Sequence, residues 1–272
     1  MRYLGISRAE LFSPNRTAGD AAVLRAVALE LERKGHSVTC LTEQDLIEKG
    51  IPDHIDGIFQ MARSNSALDM LESASVPVIN TVQAVRNCRR AAQTEILLDS
   101  GLIPDSVICP TAAVPSGWNH YPCWIKRADS HAVEQDDVQF AGSESECAAV
   151  MRMLAARGVE TCVLQDHVRG WVVKFYGVRG SGLTDCYAAT LKDSKFGLER
   201  YNDTPGDTSV DMDALRDVAE RASQLLGVDV YGGDAVVDPD GRITLIDFND
   251  WPSFRSCTVG AAARIADLIV TV

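Results

Sequence analysis

Two carboxylates and an amide recur at short spacing near the end of the chain, in the stretch GGDAVVDPDGRITLIDFNDWPSF (residues 232–254). The Asp-Pro-Asp-Gly sequence is a turn signal between two apolar runs rich in β-branched residues, which predicts a hairpin. Side chains alternate along a strand, so Asp247 and Asn249 face the same side. If the loop has four residues, Pro239 to Arg242, the register places Asp234 opposite Asp247.

This arrangement predicts a metal site. Two carboxylates and an amide oxygen, without His or thiolate, suit Mg²⁺, which keeps several waters and usually also binds substrate phosphates. The alternative is that acidic residues merely flank turns, and it is the preferred interpretation for Asp238 and Asp240. For Asp234, Asp247 and Asn249 together we favour the metal site.

Two lysines stand out by their sequence context. Lys126 ends the strand CWIK, and Lys174 lies within WVVKFYGV, a strand that is otherwise apolar. Lysine is rarely buried without a partner, although a lysine at a strand end or edge also extends its charge to solvent. For Lys174 we favour pairing with a ligand phosphate, whereas the sequence leaves both interpretations open for Lys126.

Polar segments follow two of the predicted strands. His131 lies in the small-residue loop after CWIK, where a histidine is usually only solvated. The run Gln165-Asp166-His167-Val168 ends a strand before a turn. Backbone groups of such a segment are able to bind a purine edge while Asp166 accepts from a ribose hydroxyl. A plain hairpin end is the alternative.

A basic cluster lies on the helix predicted from Val82 to Leu98, which Gly101 ends. Its members are Arg86, Arg89 and Arg90. We interpret Arg86 and Arg89 as part of a solvated helix face. Arg90 reaches a phosphate if the next segment of the chain folds over it.

The overall composition restricts the class of protein. The chain has 272 residues and a formal net charge of −12, which argues against a nucleic-acid backbone or an anionic membrane surface as partner. Its eight cysteines form no C-x-x-C pair, a pattern typical of reduced, mostly buried thiols. The apolar run at the start is too short for a signal peptide, and no stretch is long enough to span a bilayer. We therefore expect a cytoplasmic protein.

The order of the predicted elements indicates three units. Residues 1–106 alternate strands and helices, which predicts an open parallel α/β sheet. Prolines punctuate 104–122, which we interpret as a linker into a small α+β unit over 107–180. Residues 181–272 hold an amphipathic helix, the hairpin and a closing helix. No G-x-G-x-x-G follows the first strand, and G-x-x-x-x-G-K-[ST] and the kinase motifs are absent, so the usual phosphate-loop sites are excluded.

The order of these features resembles the ATP-grasp superfamily over nearly the whole chain, on four stretches. VINTVQAVRNCRRAAQTEILLDSGLIP is similar to the segment that closes the N-terminal domain, with Arg89-Arg90 where Asp-Lys or Asp-Arg is usual. CWIKRADSH resembles the strand with the phosphate-binding lysine and its flexible loop. VLQDHVRGWVVKFYGV resembles the adenine hinge and the strand of a second cation. LGVDVYGGDAVVDPDGRITLIDFNDWPSF, the most specific stretch, is similar to the metal-binding hairpin.

The resemblance implies an ATP-grasp fold with an N-terminal open parallel α/β domain, and it implies a role for each candidate. Asp234, Asp247 and Asn249 would bind Mg²⁺. The residues implied in ATP binding are Arg90, Lys126, His131, Gln165, Asp166, His167, Val168 and Lys174. Lys174 is also a candidate catalytic residue, and Lys192 and Arg255 are candidates for holding a substrate carboxylate or the tetrahedral oxyanion.

Two branches of the superfamily resemble the chain. RimK-like carboxylate–amine ligases imply amide formation through an acyl phosphate, with a small-molecule or peptide carboxylate and an amine as substrates. The inositol polyphosphate kinase branch shares a Q-x-x-V…K-x-Y hinge, an I-D-x-N-x-x-P ending and a histidine comparable to His131. A polyphosphate needs a dense basic pocket, so an acidic chain with 26 basic residues favours the ligase. A nucleotide-binding protein without turnover is a third alternative, against which the complete metal triad argues. The sequence does not decide between a monomer and a homodimer.

Overall fold

The computed structural model describes residues 1–13, 17–129, 134–190, 197–204 and 209–272. Their strands form three four-stranded sheets. The first sheet is parallel and the other two are antiparallel, which confirms the predicted combination of an open α/β unit with α+β units. Within these residues, no helix is both long enough and apolar enough to cross a membrane.

The first sheet has the strand order β2-β1-β3-β4. Its elements are β1 (Arg2–Ser7), α1 (Thr17–Arg33), β2 (Ser37–Thr42), α2 (Glu43–Lys49), β3 (Gly57–Gln60), α3 (Asn65–Glu72) and β4 (Val78–Ile79). Helix α1 buries Val23, Val27 and Leu31, at the four-residue spacing that places side chains on one helical face. Strands β1 and β3 pair in parallel, so the segments that follow their carboxyl ends meet at one edge of the sheet.

Two helices follow this sheet, α4 (Val82–Asn87) and α5 (Arg90–Leu97). The prediction of one helix from Val82 to Leu98 is therefore wrong. Arg89 has extended backbone angles (φ −65°, ψ 138°), and the amide of Ala91 donates to the carbonyl of Ala128. A tertiary hydrogen bond thus overrides the helical pattern of the sequence. The break places Arg89 and Arg90 at the start of a new helix.

The second sheet has the order β5-β8-β6-β7. Its elements are β5 (Ser106–Pro110), β6 (Cys123–Arg127), β7 (Val138–Ala141), α6 (Glu144–Ala156) and β8 (Thr161–Asp166). The linker predicted over 104–122 is wrong in its first part, because β5 pairs along its length with β8. The proline in β5 is tolerated because this strand lies at the sheet edge. Four buried cysteines lie in the core of this unit, as expected: Cys109, Cys123, Cys147 and Cys162.

The third sheet has the order β10-β9-β11-β12. Its elements are β9 (Trp171–Val178), β10 (Gly182–Ala188), α7 (Met212–Leu226), β11 (Val230–Val237), β12 (Ile243–Asp250) and α8 (Thr258–Thr271). Strand β9 pairs with β11 along its whole length, although the sequence assigns it to the unit over 107–180. Strand β9 therefore belongs to the same sheet as β10, β11 and β12, because it pairs with a strand that is distant in sequence.

The β11–β12 hairpin has the expected facing pair but a different loop. Asp234 lies opposite Asp247, whereas Val237 already pairs with Ile243, so the loop has one residue more than the four assumed. A β-bulge between Asp234 and Ala235 restores the register. β-Bulges are common next to functional sites, where they change the direction of a side chain. The two carboxylates meet because the longer loop and the bulge compensate each other.

Asn80 joins the first sheet to the third. It is fully buried, and its Oδ1 accepts hydrogen bonds from the amides of Asp229 at 2.9 Å and Val230 at 2.8 Å. Its Nδ2 donates to the carbonyl of Val230 at 2.8 Å. One side chain therefore satisfies three backbone groups where β11 begins.

Replacing Asn80 by alanine is expected to lower the free energy of unfolding by about 3–5 kcal/mol, because three buried backbone groups lose their partner. Urea denaturation followed by tryptophan fluorescence measures this. Gln83→Ala is the control, since Gln83 is exposed and its side chain donates to Oδ1 of Asn87 on the helix surface. Its effect should stay within about 0.5 kcal/mol. Equal stability of the two variants would contradict the role of Asn80.

Candidate active site

A cavity of about 780 Å³ lies where the three sheets approach one another. This is within the size range of small-molecule sites. The structure brings six of the sequence-derived candidates together on its wall: Arg90, Lys126, Lys174, Asp234, Asp247 and Asn249. Helix α5 supplies the arginine, and strands of the second and third sheets supply the other five. The cavity is therefore the candidate active site.

A cation lies beside each of the two carboxylates that face each other on the hairpin, Asp234 and Asp247. The Nζ of Lys174 lies 3.0 and 3.1 Å from the two carboxylate oxygens of Asp234. The Nη2 of Arg90 lies 3.6 Å from Oδ1 of Asp247. Asn249 donates from Nδ2 to Oδ2 of Asp247 at 2.9 Å. The three oxygen-bearing side chains thus form one patch on the cavity wall.

The donor chemistry of this patch fits Mg²⁺. Asp234 and Asp247 keep 29% and 30% of their side chains exposed, so their oxygens are accessible from the cavity. In the described part of the chain, no three His, Cys, Asp or Glu side chains are grouped to hold a metal. Asp234 and Asp247 supply two carboxylates, and the amide oxygen of Asn249 is a third hard oxygen donor beside them. Hard oxygen ligands without sulfur or imidazole are those that Mg²⁺ prefers.

Lys126 lies buried in the floor of the cavity. Its Nζ donates to Oε1 of Gln165 at 2.6 Å and to the carbonyl of Ile246 at 2.8 Å. Burial, together with the smaller effect of the nearby charge of Arg90, lowers the pKa of Lys126 to about 7 against the opposing effect of Asp247. The lysine is therefore only partly charged near neutral pH until an anion binds beside it.

If ATP binds in this cavity, as the sequence resemblance implies, its binding is expected to be accompanied by uptake of a proton on Lys126. With a pKa of about 7, roughly nine tenths of these lysines are neutral at pH 8, and phosphate favours the charged form. Calorimetric titration in buffers of different ionisation enthalpy should show an uptake of close to one proton per ATP, and affinity should fall as the pH rises above 7. Lys126→Met should remove the uptake. Equal uptake in both proteins would contradict the assignment.

The predicted adenine segment does not itself line the cavity. Gln165 is connected to the cavity through Lys126, whose Nζ donates to its side chain. Asp166, His167 and Val168 do not line the cavity. The sequence placed all four together because they are consecutive, but β8 ends at Asp166, and tertiary contacts engage the residues at its end.

Trp124 separates His167 from the cavity. Its Nε1 donates to Nδ1 of His167 at 3.1 Å, and its ring lines the cavity. The amides of Asp166 and His167 donate to the carbonyls of Asp105 and Pro122 at 2.8 and 3.3 Å. Burial lowers the pKa of His167. Trp124, which no sequence pattern indicated, thus presents an aromatic surface on the cavity wall, and planar rings stack on such surfaces.

Three further candidates stand apart from the cavity wall. Arg255 is exposed and does not line the cavity. The prediction that it holds a substrate group thus finds no support in this geometry. His131 and Lys192 lie outside the described residues, and their roles stay predictions.

Two arginines that the sequence analysis missed line the cavity from the first sheet. Arg8 follows β1 and donates to Oδ2 of Asp20 at 3.0 Å and to the carbonyl of Trp251 at 2.8 Å. Arg63 follows β3 and pairs with Asp250. Burial lowers the pKa of Arg8, with a smaller contribution from the charge of Arg63. Arg63 and Arg8 thus hold the end of β12 and the residue after it, at Asp250 and Trp251, which are too distant in sequence for any local signal.

No protein-family model matches this sequence, and no curated protein sequence matches it. Several solved structures, in contrast, are similar to this chain. The D-alanine–D-alanine ligase of Bacillus anthracis complexed with ATP is 14% identical, with a TM-score of 0.73 over 100% of this chain and 96% of that one. A RimK-domain ATP-grasp protein of Sphaerobacter thermophilus is 17% identical, with a TM-score of 0.71 over 99% and 100%. The VanG D-Ala:D-Ser ligase of Enterococcus faecalis is 13% identical, with a TM-score of 0.70 over 99% and 98%. These similarities confirm the predicted fold over the whole chain.

Proposed function

We propose that this chain, which has the ATP-grasp fold, is an ATP- and Mg²⁺-dependent ligase that joins a carboxylate to an amine on a small molecule or peptide. The observation that carries the proposal is a single cavity lined by Arg90, Lys126 and Lys174 together with the oxygen patch of the hairpin. Structural neighbours whose names give ligase activities on D-alanine and D-serine support the same reaction class.

The cations and the oxygen patch would divide the work of binding ATP. Lys126, Lys174 and Arg90 lie where they are able to contact its phosphates, and charge-assisted hydrogen bonds to phosphate are strong. Asp234, Asp247 and Asn249 would hold Mg²⁺, which supplies positive charge against the charge that develops during phosphoryl transfer. The adenine would stack on Trp124, whose ring lines the cavity.

The reaction would proceed in two steps. An oxygen of the substrate carboxylate bonds to the γ-phosphorus while the bond to the bridging oxygen of ADP breaks, which gives an acyl phosphate. The amine nitrogen then attacks the acyl carbon, inorganic phosphate leaves, and the nitrogen loses a proton. Lys174 and Arg90 would stabilise the transferred group through both steps, because fixed cations in a site of low dielectric stabilise developing negative charge.

The two alternatives fit the cavity less well. A kinase for a polyphosphorylated substrate needs many uncompensated cations. Among the described residues the cavity has seven Arg and Lys side chains against six Asp and Glu side chains, so its wall is almost neutral. A protein that only binds nucleotide has no need of the complete oxygen set. The wall charge therefore argues against a polyphosphate and favours a substrate of lower charge, which a carboxylate would be.

A coupled assay for ADP and phosphate tests the proposal. The expected result is release of both from ATP that depends on Mg²⁺ and on the joint presence of a carboxylate and an amine, across a screen of amino acids and small carboxylic acids. Transfer of labelled phosphate to an alcohol without an amine would favour the kinase. Tight ATP binding without release in any mixture would favour the binding protein.

A further inference from the structure

The cationic side chains of the cavity differ in whether a carboxylate neutralises them. Of the seven, five have a carboxylate oxygen within 4 Å among the described residues. The pairs are Arg8–Asp20, Arg63–Asp250, Arg90–Asp247, Arg127–Asp129 and Lys174–Asp234. Within that part of the chain, the remaining two are Lys126 and Arg89. Lys126 belongs to the proposed phosphate site, so Arg89 is the cation whose purpose the proposed function does not explain.

Arg89 is oriented by a neutral partner. Its Nη2 donates to Oδ1 of Asn65, the first residue of α3. An amide fixes the direction of a guanidinium without cancelling its charge. The remaining N–H groups form a planar fork that matches a carboxylate in two parallel hydrogen bonds. Arg89 is therefore positioned and charged, with capacity left for an anion from solution.

Arg89 and the metal patch lie on parts of the cavity wall that come from different elements, with Arg90, the next residue, beside Asp247. The partner of Arg89, Asn65, follows β3, and Arg89 shares its part of the wall with Arg63 and Ser64. The wall is formed at the carboxyl edge of the first sheet, whereas Asp234 and Asp247 belong to the third sheet. In open parallel sheets, ligands bind outside the carboxyl ends of the strands. This part of the wall is thus available to a second substrate, next to the patch proposed to bind Mg²⁺.

We propose that Arg89 binds a carboxylate that the reaction leaves unchanged, so that the substrate of this chain is a small dicarboxylate such as an acidic amino acid. The inference rests on the proposed ligase function. One carboxylate of the substrate is activated at the metal patch, and the other pairs with Arg89. Arg8 and Arg63 already bond carboxylates and a backbone carbonyl. They therefore shape this part of the wall, and Arg89 is the side chain proposed to bind the anion.

Turnover with hydroxylamine as the amine tests the proposal, with hydroxamate and ADP as the products measured. The probes are L-glutamate, L-aspartate, succinate and glutarate, each compared with its monoamide. The wild-type protein should prefer at least one dicarboxylate over its monoamide by about tenfold or more, the expected effect of one charged hydrogen-bonded pair. Arg89→Gln should raise the KM for that dicarboxylate by about the same factor while the KM for ATP changes less than about twofold.

Arg86→Gln is the matched control. Arg86 lies three residues earlier, and Glu72 and Asp69 neutralise it away from the cavity. It should behave as the wild type. A raised KM for ATP in Arg89→Gln with the dicarboxylate preference intact would assign Arg89 to the phosphates and overturn the proposal. So would the absence of any dicarboxylate preference in the wild-type protein.

Equilibrium binding separates this inference from the proposed function. Calorimetry with the same four dicarboxylates and the protein saturated with ADP and Mg²⁺ needs no turnover. About tenfold weaker binding to Arg89→Gln than to Arg86→Gln supports the subsite even if no hydroxamate forms, in which case only the ligase proposal fails. Absence of binding by every dicarboxylate, or equal binding to both variants, overturns the subsite.

Discussion

Replacing Asp247 by asparagine is expected to lower Mg²⁺-dependent ATP turnover by about 10³-fold or more. Loss of one metal-binding carboxylate removes several kcal/mol of transition-state stabilisation. The side chain of Asp247 is 30% exposed, so the same substitution should change the free energy of unfolding by no more than about 1 kcal/mol. Steady-state ADP release across a Mg²⁺ titration, together with urea denaturation, measures the two effects separately.

Asp240→Asn is the matched control for this experiment. It makes the same chemical change on the same hairpin, at the exposed turn far from the cavity. Its turnover and Mg²⁺ dependence should equal those of the wild type. If Asp247→Asn also kept its turnover, the assignment of the hairpin carboxylates to a metal would be wrong.

Replacing Gly233 by alanine is expected to cost about 3 kcal/mol or more of unfolding free energy and to abolish turnover. A Cβ built at Gly233 would lie 2.3 Å from the carbonyl oxygen of Asp247 and 2.7 Å from the ring of Phe175. The backbone oxygen is not free to move without displacing the strand that carries Asp247. Overpacking of this kind costs 1–3 kcal/mol or more and shifts the backbone. Thermal unfolding and ADP release test the two expectations.

Gly260→Ala is the control for the glycine substitution. Gly260 is exposed within α8, and a Cβ there meets no atom within 4 Å. Alanine should raise stability by about 0.5–1 kcal/mol, since it is the better helix former. A Gly233→Ala protein as stable and active as Gly260→Ala would show that the hairpin strands are less closely packed than described.

The hairpin was predictable from the sequence because its signals are local. The turn residues and the alternation of side chains are enough to place Asp247 beside Asn249. The facing of Asp234 and Asp247 was predicted from a loop one residue too short, and the bulge corrected the error. A bulge depends on the geometry of the neighbouring ladder, and β11 also pairs with β9. Local signals do not report such a dependence.

The rest of the cavity wall depends on contacts between distant residues. The break before α5 follows from the hydrogen bond between Ala91 and Ala128, and it turns Arg89 from an expected surface residue into a cavity residue. Arg8 and Arg63 bond backbone groups of Trp251 and Asp250, 243 and 187 residues later. Such pairs have no signature in a single sequence. The part of the cavity wall that Arg8 and Arg63 form was therefore missed, whereas the part that the hairpin forms was predicted.

An isotope experiment tests the central claim most directly. The substrate carboxylate found in the screen is labelled with ¹⁸O on both oxygens and incubated with ATP, Mg²⁺ and the amine. Transfer of the γ-phosphoryl group to that carboxylate predicts one ¹⁸O atom in the inorganic phosphate for each amide formed, detected by mass spectrometry. Amide formation with unlabelled phosphate, or with cleavage of ATP to AMP and pyrophosphate, would contradict an acyl-phosphate ligase.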